Sequence, residues 1–299
     1  MKVESGTAAY SRSSLCRNEK CYLRGVKNKI ALRFFIHLAY DGRQYHGWQR
    51  QVSAISVQET IENLLSEVLK KKVFVTGCGR TDAFVHASQY FMHVDMNEDL
   101  GFDLKFRFNK RLPMDIAIFD IIPVAENAHT RFDAVERTYN YFIHTYKEPF
   151  LHGLSALYEF PERDLQKMSQ AVALLPQYDD YYGLCKTPNR QNLTICKVSS
   201  ATLFRNEKGN RIRFQIKSNR FLSGMIRIIM GQLLEIGQGK LSVEQFEYNL
   251  KNLITPDPLV PAYPQGLYLT KVIYPFLNLE PQSFFESIHQ IENGWIPVD

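Results

Sequence analysis

The stretch "IALRFFIHLAYD", Ile30 to Asp41, sets the reading of the fold. Ile30, Leu32, Phe34, Ile36 and Leu38 alternate with Ala31, Arg33, Phe35, His37 and Ala39. Sustained alternation with period two is the pattern of a β-strand. Beyond it, "SVQETIENLLSEVLKK" opens on Ser56 with Glu59 three residues later, a capping box. Ile61, Leu64, Leu65, Val68 and Leu69 fall on one face of the helix it predicts. "VFVT" predicts a short strand, "SQYFMHVDM" a second, residues 102–111 a helix and "DIAIFDIIPV" another strand. From "RTYNYFIHTY" the outline repeats. That strand is followed by the helix "DLQKMSQAVALL", N-capped by Asp164, and by two strands around a turn at Gly209. The apolar helix "RFLSGMIRIIMGQLLEIG", the helix "SVEQFEYNLKNL" capped by Ser242 and Gln245, and the strand "GLYLTKVIYP" complete the series. Antiparallel-type strands with helices covering one face make an α+β protein, and two similar halves leave a cleft between them.

The bulk properties bound this reading. The chain has 299 residues, 45% apolar and 22% charged, which fits a globular protein of one large domain or two subdomains. No run of eighteen apolar residues occurs, so neither a transmembrane helix nor a membrane partner is expected. Cys16, Cys21, Cys78, Cys185 and Cys196 are odd in number and lack zinc-like pairing, so they read as reduced thiols of a cytoplasmic protein. The net charge of +5 belongs to residues 1–29, which hold seven Lys/Arg against two Asp/Glu and leave 29 of each in the remainder. That segment lacks the apolar core of a secretory signal and is expected to be a disordered basic tail. An RNA-binding surface on the folded part would have to arise from local placement of charge.

Chemistry is concentrated in "GCGRTDAFVHASQ", Gly77 to Gln89. The glycines permit a tight turn from which Asp82 projects. Taken alone, Asp82 could be a capping group and Arg80 a solvated surface charge. Cys78 would need an activating neighbour to act as a nucleophile, and His86 reads as a residue that fixes the loop. Arg227 lies in a helix apolar on nearly every side, so it either snorkels outward or meets an anion. An Asp82–Arg227 pair would keep the carboxylate ionised, as a nucleophile or base requires. Tyr139 and Tyr141 alternate on one strand, where cross-strand packing is the simplest role. His46 and Trp48 sit on a loop, where an aromatic can stack a base or cap the core.

Taken together, "YDGRQYHGWQRQ", "SVQETIE", "GCGRTDAFVHAS", "RTYNYF", "RFLSGMIRIIMG" and "QGLYLTKVIYP" resemble, in order, the tRNA pseudouridine synthase A family, over about residues 30–277. The resemblance implies two α/β subdomains, 30–125 and 126–277, whose antiparallel and mixed sheets join into one curved sheet with helices outside and a basic central cleft. Residues 278–299 would be a C-terminal extension. It implies a cofactor-free isomerase, usually a homodimer, that converts uridine to pseudouridine in tRNA at positions 38 to 40 of the anticodon stem-loop. By motif position Asp82 matches the catalytic aspartate and Tyr139 the tyrosine that stacks on the target base. Arg227 matches the arginine that pairs with the carboxylate, Arg80 an arginine that places the flipped nucleotide, and Leu269 an apolar residue beneath the base. Phe84 departs from the family's GRTDAGVHA pattern, which has glycine there. A paralogue acting on another RNA site, or one that only binds RNA, is the alternative reading.

Overall fold

The computed structural model describes residues 31–97, 100–159, 164–191, 193–281 and 294–299. The tail expected over 1–29 lies outside these residues, as does much of the C-terminal extension.

The alternating stretch forms β1 (Ala31–Tyr40). Ser56 caps α1 (Val57–Leu69), its side chain accepting from the Glu59 amide, and β2 (Thr76–Gly77) and β3 (His86–Asn97) flank the glycine-rich turn. Next come α2 (Leu104–Asn109) and β4 (Ile116–Val124). The second half begins with β5 (Glu136–His144), a short β6 (Ala156–Leu157) and α3 (Leu165–Leu174), capped by Asp164. The hairpin β7 (Val198–Arg205) and β8 (Arg211–Ser218) follows. It leads to α4 (Met225–Gly237), to α5 (Val243–Lys251) with its Ser242 cap, and to β9 (Leu267–Ile273). A final two-residue strand, β10 (Ile296–Pro297), pairs with β7.

Two expectations are corrected in detail. "VFVT" contributes only Thr76 to β2, because the preceding amides turn to α1: Val73 N donates to Ser66 Oγ at 2.9 Å and Val75 N to buried Glu62 at 3.0 Å. The apolar helix expected from Arg220 starts five residues later. Gly224 adopts a left-handed conformation (φ 70°) and sets the helix start at Met225.

All strands join one mixed sheet, whose main path runs β10-β7-β8-β5-β9-β3-β1-β4, with β2 on β3 and β6 on β5. The fold is therefore α+β. The repeat seen in the sequence extends to the pairing. In the first half β1 lies between β4 and β3, and β3 also pairs with β2; in the second, β5 lies between β9 and β8, and β8 pairs with β7. All six pairings are antiparallel.

The halves meet where the start of β3 runs parallel to β9, with His86 opposite Tyr268 and Ala87 opposite Leu269. Farther along, the fully buried Gln89 takes over from the ladder. Its Oε1 accepts from Val272 N at 2.9 Å and its Nε2 donates to Leu279 O at 3.2 Å. Replacing Gln89 with leucine keeps the volume but strands both backbone groups, and an unmet buried polar group costs about 1–3 kcal/mol. Gln89→Leu is therefore expected to lower the urea midpoint of unfolding by an amount worth about 2–4 kcal/mol, whereas the same change at exposed Gln51 leaves the midpoint in place.

Candidate active site

The turn between β2 and β3 is held at four of its carbonyls. Cys78 O accepts from Arg137 Nη2 at 3.0 Å, Gly79 O from the Tyr90 hydroxyl at 2.6 Å, and Thr81 O from Trp48 N at 3.2 Å. Asp82 O accepts from Val85 N at 3.2 Å, and the Thr81 hydroxyl lies 2.8 Å from that of Tyr40. Burial pushes the Tyr40 and Tyr90 phenols well above their ordinary value, so both stay protonated. The loop after β1 packs against the turn through Gly47. At φ 87°, with an added Cβ only 2.4 Å from Thr81 O, that position accepts no side chain.

From this fixed backbone the Asp82 side chain reaches Arg227, with Oδ2 3.0 Å from Nη1. Arg227 occupies the first turn of α4 and is clamped by Ala262. Its Nε donates to Ala262 O at 2.8 Å, and its own carbonyl accepts from Ala262 N at 2.8 Å. Of the two roles open to an arginine in an apolar helix, Arg227 takes the paired one. The Asp82 side chain is 43% exposed and that of Arg227 20%. Facing water, such a pair contributes no more than about 1 kcal/mol, and it strengthens when a bound molecule displaces the solvent.

The sheet brings two more of the expected residues together, and one of them, Tyr139, feels the Asp82 charge. Leu269 lies opposite both Ala87 of β3 and Tyr139 of β5. Between Thr138 and Tyr139 the β5–β9 register slips past Thr270. Such a bulge re-aims the side chain that follows it. Tyr139 is 8% exposed, with its ring edge-on to Phe221 at 5.1 Å, and Leu269 is fully buried. The Tyr139 phenol is pushed up, first by burial and also by the nearby Asp82 charge, so it is neutral. Tyr141 packs in the core, its hydroxyl donating to Tyr263 O.

Arg80 is exposed, and Arg137, Arg131 and Arg220 join it in a constellation not anticipated from the sequence. Arg137 is buried, and its guanidinium donates to the carbonyls of Asn219 (2.8 Å), Cys78 (3.0 Å), Arg131 (2.7 Å) and Ala134 (3.4 Å). Each of the first three acceptors belongs to a different loop, and each loop carries an arginine at the acceptor or within two residues of it: Arg80, Arg131 and Arg220. Their mutual influence is direct, since the Arg131 pKa is lowered, first by partial desolvation and then by the charges of Arg80, Arg137 and Arg220. Among the described residues none of those three pairs with a carboxylate.

The remaining candidates fall into supporting places. Cys78 is fully buried and burial raises its thiol to about 11, so it is no nucleophile at neutral pH. His86 is buried, stacks on Tyr268 at 4.3 Å, and brings Nδ1 within 3.1 Å of both Gly42 N and Asp41 Oδ1. Trp48 stacks on Tyr90 inside the core, whereas His46 is exposed.

A family model described as tRNA pseudouridine synthase matches residues 179–275, a span that includes Arg220, Arg227 and Leu269. Curated proteins resemble a longer stretch. The tRNA pseudouridine synthase A of Porphyromonas gingivalis is 39% identical over 246 residues, covering 81% of this chain and 97% of the relative. That of Azobacteroides pseudotrichonymphae is 42% identical over 248 residues, with 81% and 97% covered. That of Bacteroides fragilis is 40% identical over 245 residues, with 81% and 96% covered.

Lysine cannot reproduce the planar fork with which Arg137 bridges three loops. Arg137→Lys is expected to cost about 2–3 kcal/mol in urea unfolding. Hydrogen exchange should rise together in the segments around 78–82, 130–134 and 218–221, rather than in one of them alone.

Proposed function

The chain belongs to the tRNA pseudouridine synthase A family, isomerases acting on tRNA, and from that premise we propose that it converts uridine to pseudouridine at positions 38 to 40 of the anticodon stem-loop, through Asp82 and without a cofactor. The observation that carries this reading is the Asp82–Arg227 contact of 3.0 Å, made by an exposed carboxylate on a turn tied down through four of its carbonyls.

The reaction breaks the bond between N1 of uracil and C1′ of the ribose, turns the base, joins C5 to C1′ and releases the C5 proton, while N1 takes up a proton in its place. Composition and oxidation state are unchanged overall, so one carboxylate is sufficient. Asp82 either attacks C1′ or removes a proton from the sugar, and both routes use the carboxylate form that pairs with Arg227. The target nucleotide must leave its stack to reach the site. The neutral Tyr139 ring, with Leu269 beside it, then provides the surface for the base, and binding RNA shields the ion pair from water. Arg80, Arg131 and Arg220, which pair with no carboxylate among the described residues, take phosphates flanking the extruded nucleotide. The enzyme works as a cytoplasmic homodimer in this reading.

Release of tritium from C5-labelled uridine in tRNA tests the assignment. Asp82→Ala is expected to lose release altogether while keeping its melting temperature and its affinity for tRNA, and Cys78→Ser to keep release. Wild-type rates from Asp82→Ala would end the reading. The phosphate contacts have a separate readout. Arg131→Gln and Arg220→Gln should each reduce the slope of log affinity against log salt by about one, with little change in the rate at saturating tRNA.

A further inference from the structure

Phe84 is the third residue of the turn closed by Val85 N on Asp82 O at 3.2 Å, and its φ is +64°. A residue with a β-carbon is strained there, where glycine is at ease. The side chain is only partly buried in return, the residue being 44% exposed. A half-exposed apolar ring on a strained backbone adds little to packing and opposes the turn, and such strain concentrates where a ligand binds.

The ring has a neighbour. His46 is exposed, and the two ring centroids lie 6.1 Å apart with their planes tilted by 50°, so neither ring is stacked face to face on the other. Both are held in place by the backbone. Phe84 N donates to Tyr45 O at 3.2 Å and Trp48 N to Thr81 O at 3.2 Å, while Gly47, between them, lies against the Asp82 carbonyl. The pair is thus tied through main-chain contacts to the residue that bears the carboxylate. Flat aromatic faces beside a site that takes an extruded nucleotide match one chemical class of ligand, the nucleobase, which stacks on aromatic rings in single-stranded or opened RNA.

We propose that Phe84 and His46 form a second nucleobase-binding shelf at the rim of the site, stacking a base that adjoins the target uridine once that uridine has been drawn toward Asp82. The proposal rests on the tRNA reading above, and it assigns Phe84 to substrate affinity rather than to the chemical step.

The test uses the full-length protein and unmodified tRNA transcripts labelled at uridine C5. Equilibrium binding and tritium release are measured for the wild type and for Phe84→Gly, Phe84→Leu, Phe84→Tyr and His46→Ala. Phe84→Gly relieves the backbone, so its melting temperature should rise, yet its Kd and KM for tRNA should increase on the order of tenfold with kcat nearly kept. Phe84→Leu keeps the strain and the apolar bulk but loses the stacking face, and should bind as weakly as the glycine variant. Phe84→Tyr should bind like the wild type, and His46→Ala should show a smaller loss. Wild-type Kd and KM in both Phe84→Gly and Phe84→Leu would overturn the shelf. A wild-type protein that binds tRNA but releases no tritium would instead overturn the assigned reaction, and the Kd comparison would still decide the shelf.

Discussion

The short parallel pairing of β3 with β9 is the constraint on which the molecule depends. Each half builds its own antiparallel ladder, and among the described strands the halves share a ladder only where His86 and Ala87 face Tyr268 and Leu269. The turn carrying Asp82 ends where this pairing begins, and Leu269 within it also faces Tyr139. A carboxylate, a phenol and an apolar side chain from three distant segments thereby become neighbours. Arg227, 145 residues from Asp82 in the chain, completes the group because α4 is anchored to Ala262, a few residues before β9. Gln89 carries the join past the end of the ladder, where strands no longer pair but two backbone groups still require partners.

Rigidity and exposure are divided between backbone and side chain. The turn's carbonyls are engaged by a tryptophan amide, a tyrosine hydroxyl and a buried guanidinium, so the main chain has little freedom. The carboxylate it presents is open to solvent and bound on one side only. Such an arrangement fixes the carboxylate in advance and leaves its electrostatic environment open to change, since covering the pair would lower the local dielectric. Arg137 has a second consequence. It binds carbonyls and pairs with no carboxylate among the described residues, so its positive charge stands beside three further arginines. A neutral composition outside the tail is therefore compatible with a strongly cationic surface at one place.

Much of this was determined by local sequence. Alternation from Ile30 to Ala39 requires a strand, Ser56, Asp164 and Ser242 cap the helices they precede, and an apolar helix narrows Arg227 to snorkelling outward or meeting an anion, because each of these rules acts over a few residues. The identity of that anion, the bulge that turns Tyr139, the burial that silences Cys78 and the cation cluster around Arg137 were decided only by the tertiary structure. Arg137 looks like any polar residue of an alternating strand, since its partners are backbone carbonyls of three loops, and every residue type offers a carbonyl. Only the folded chain determines which carbonyls meet, because contacts across 59 and 82 residues depend on how the strands order themselves in the sheet.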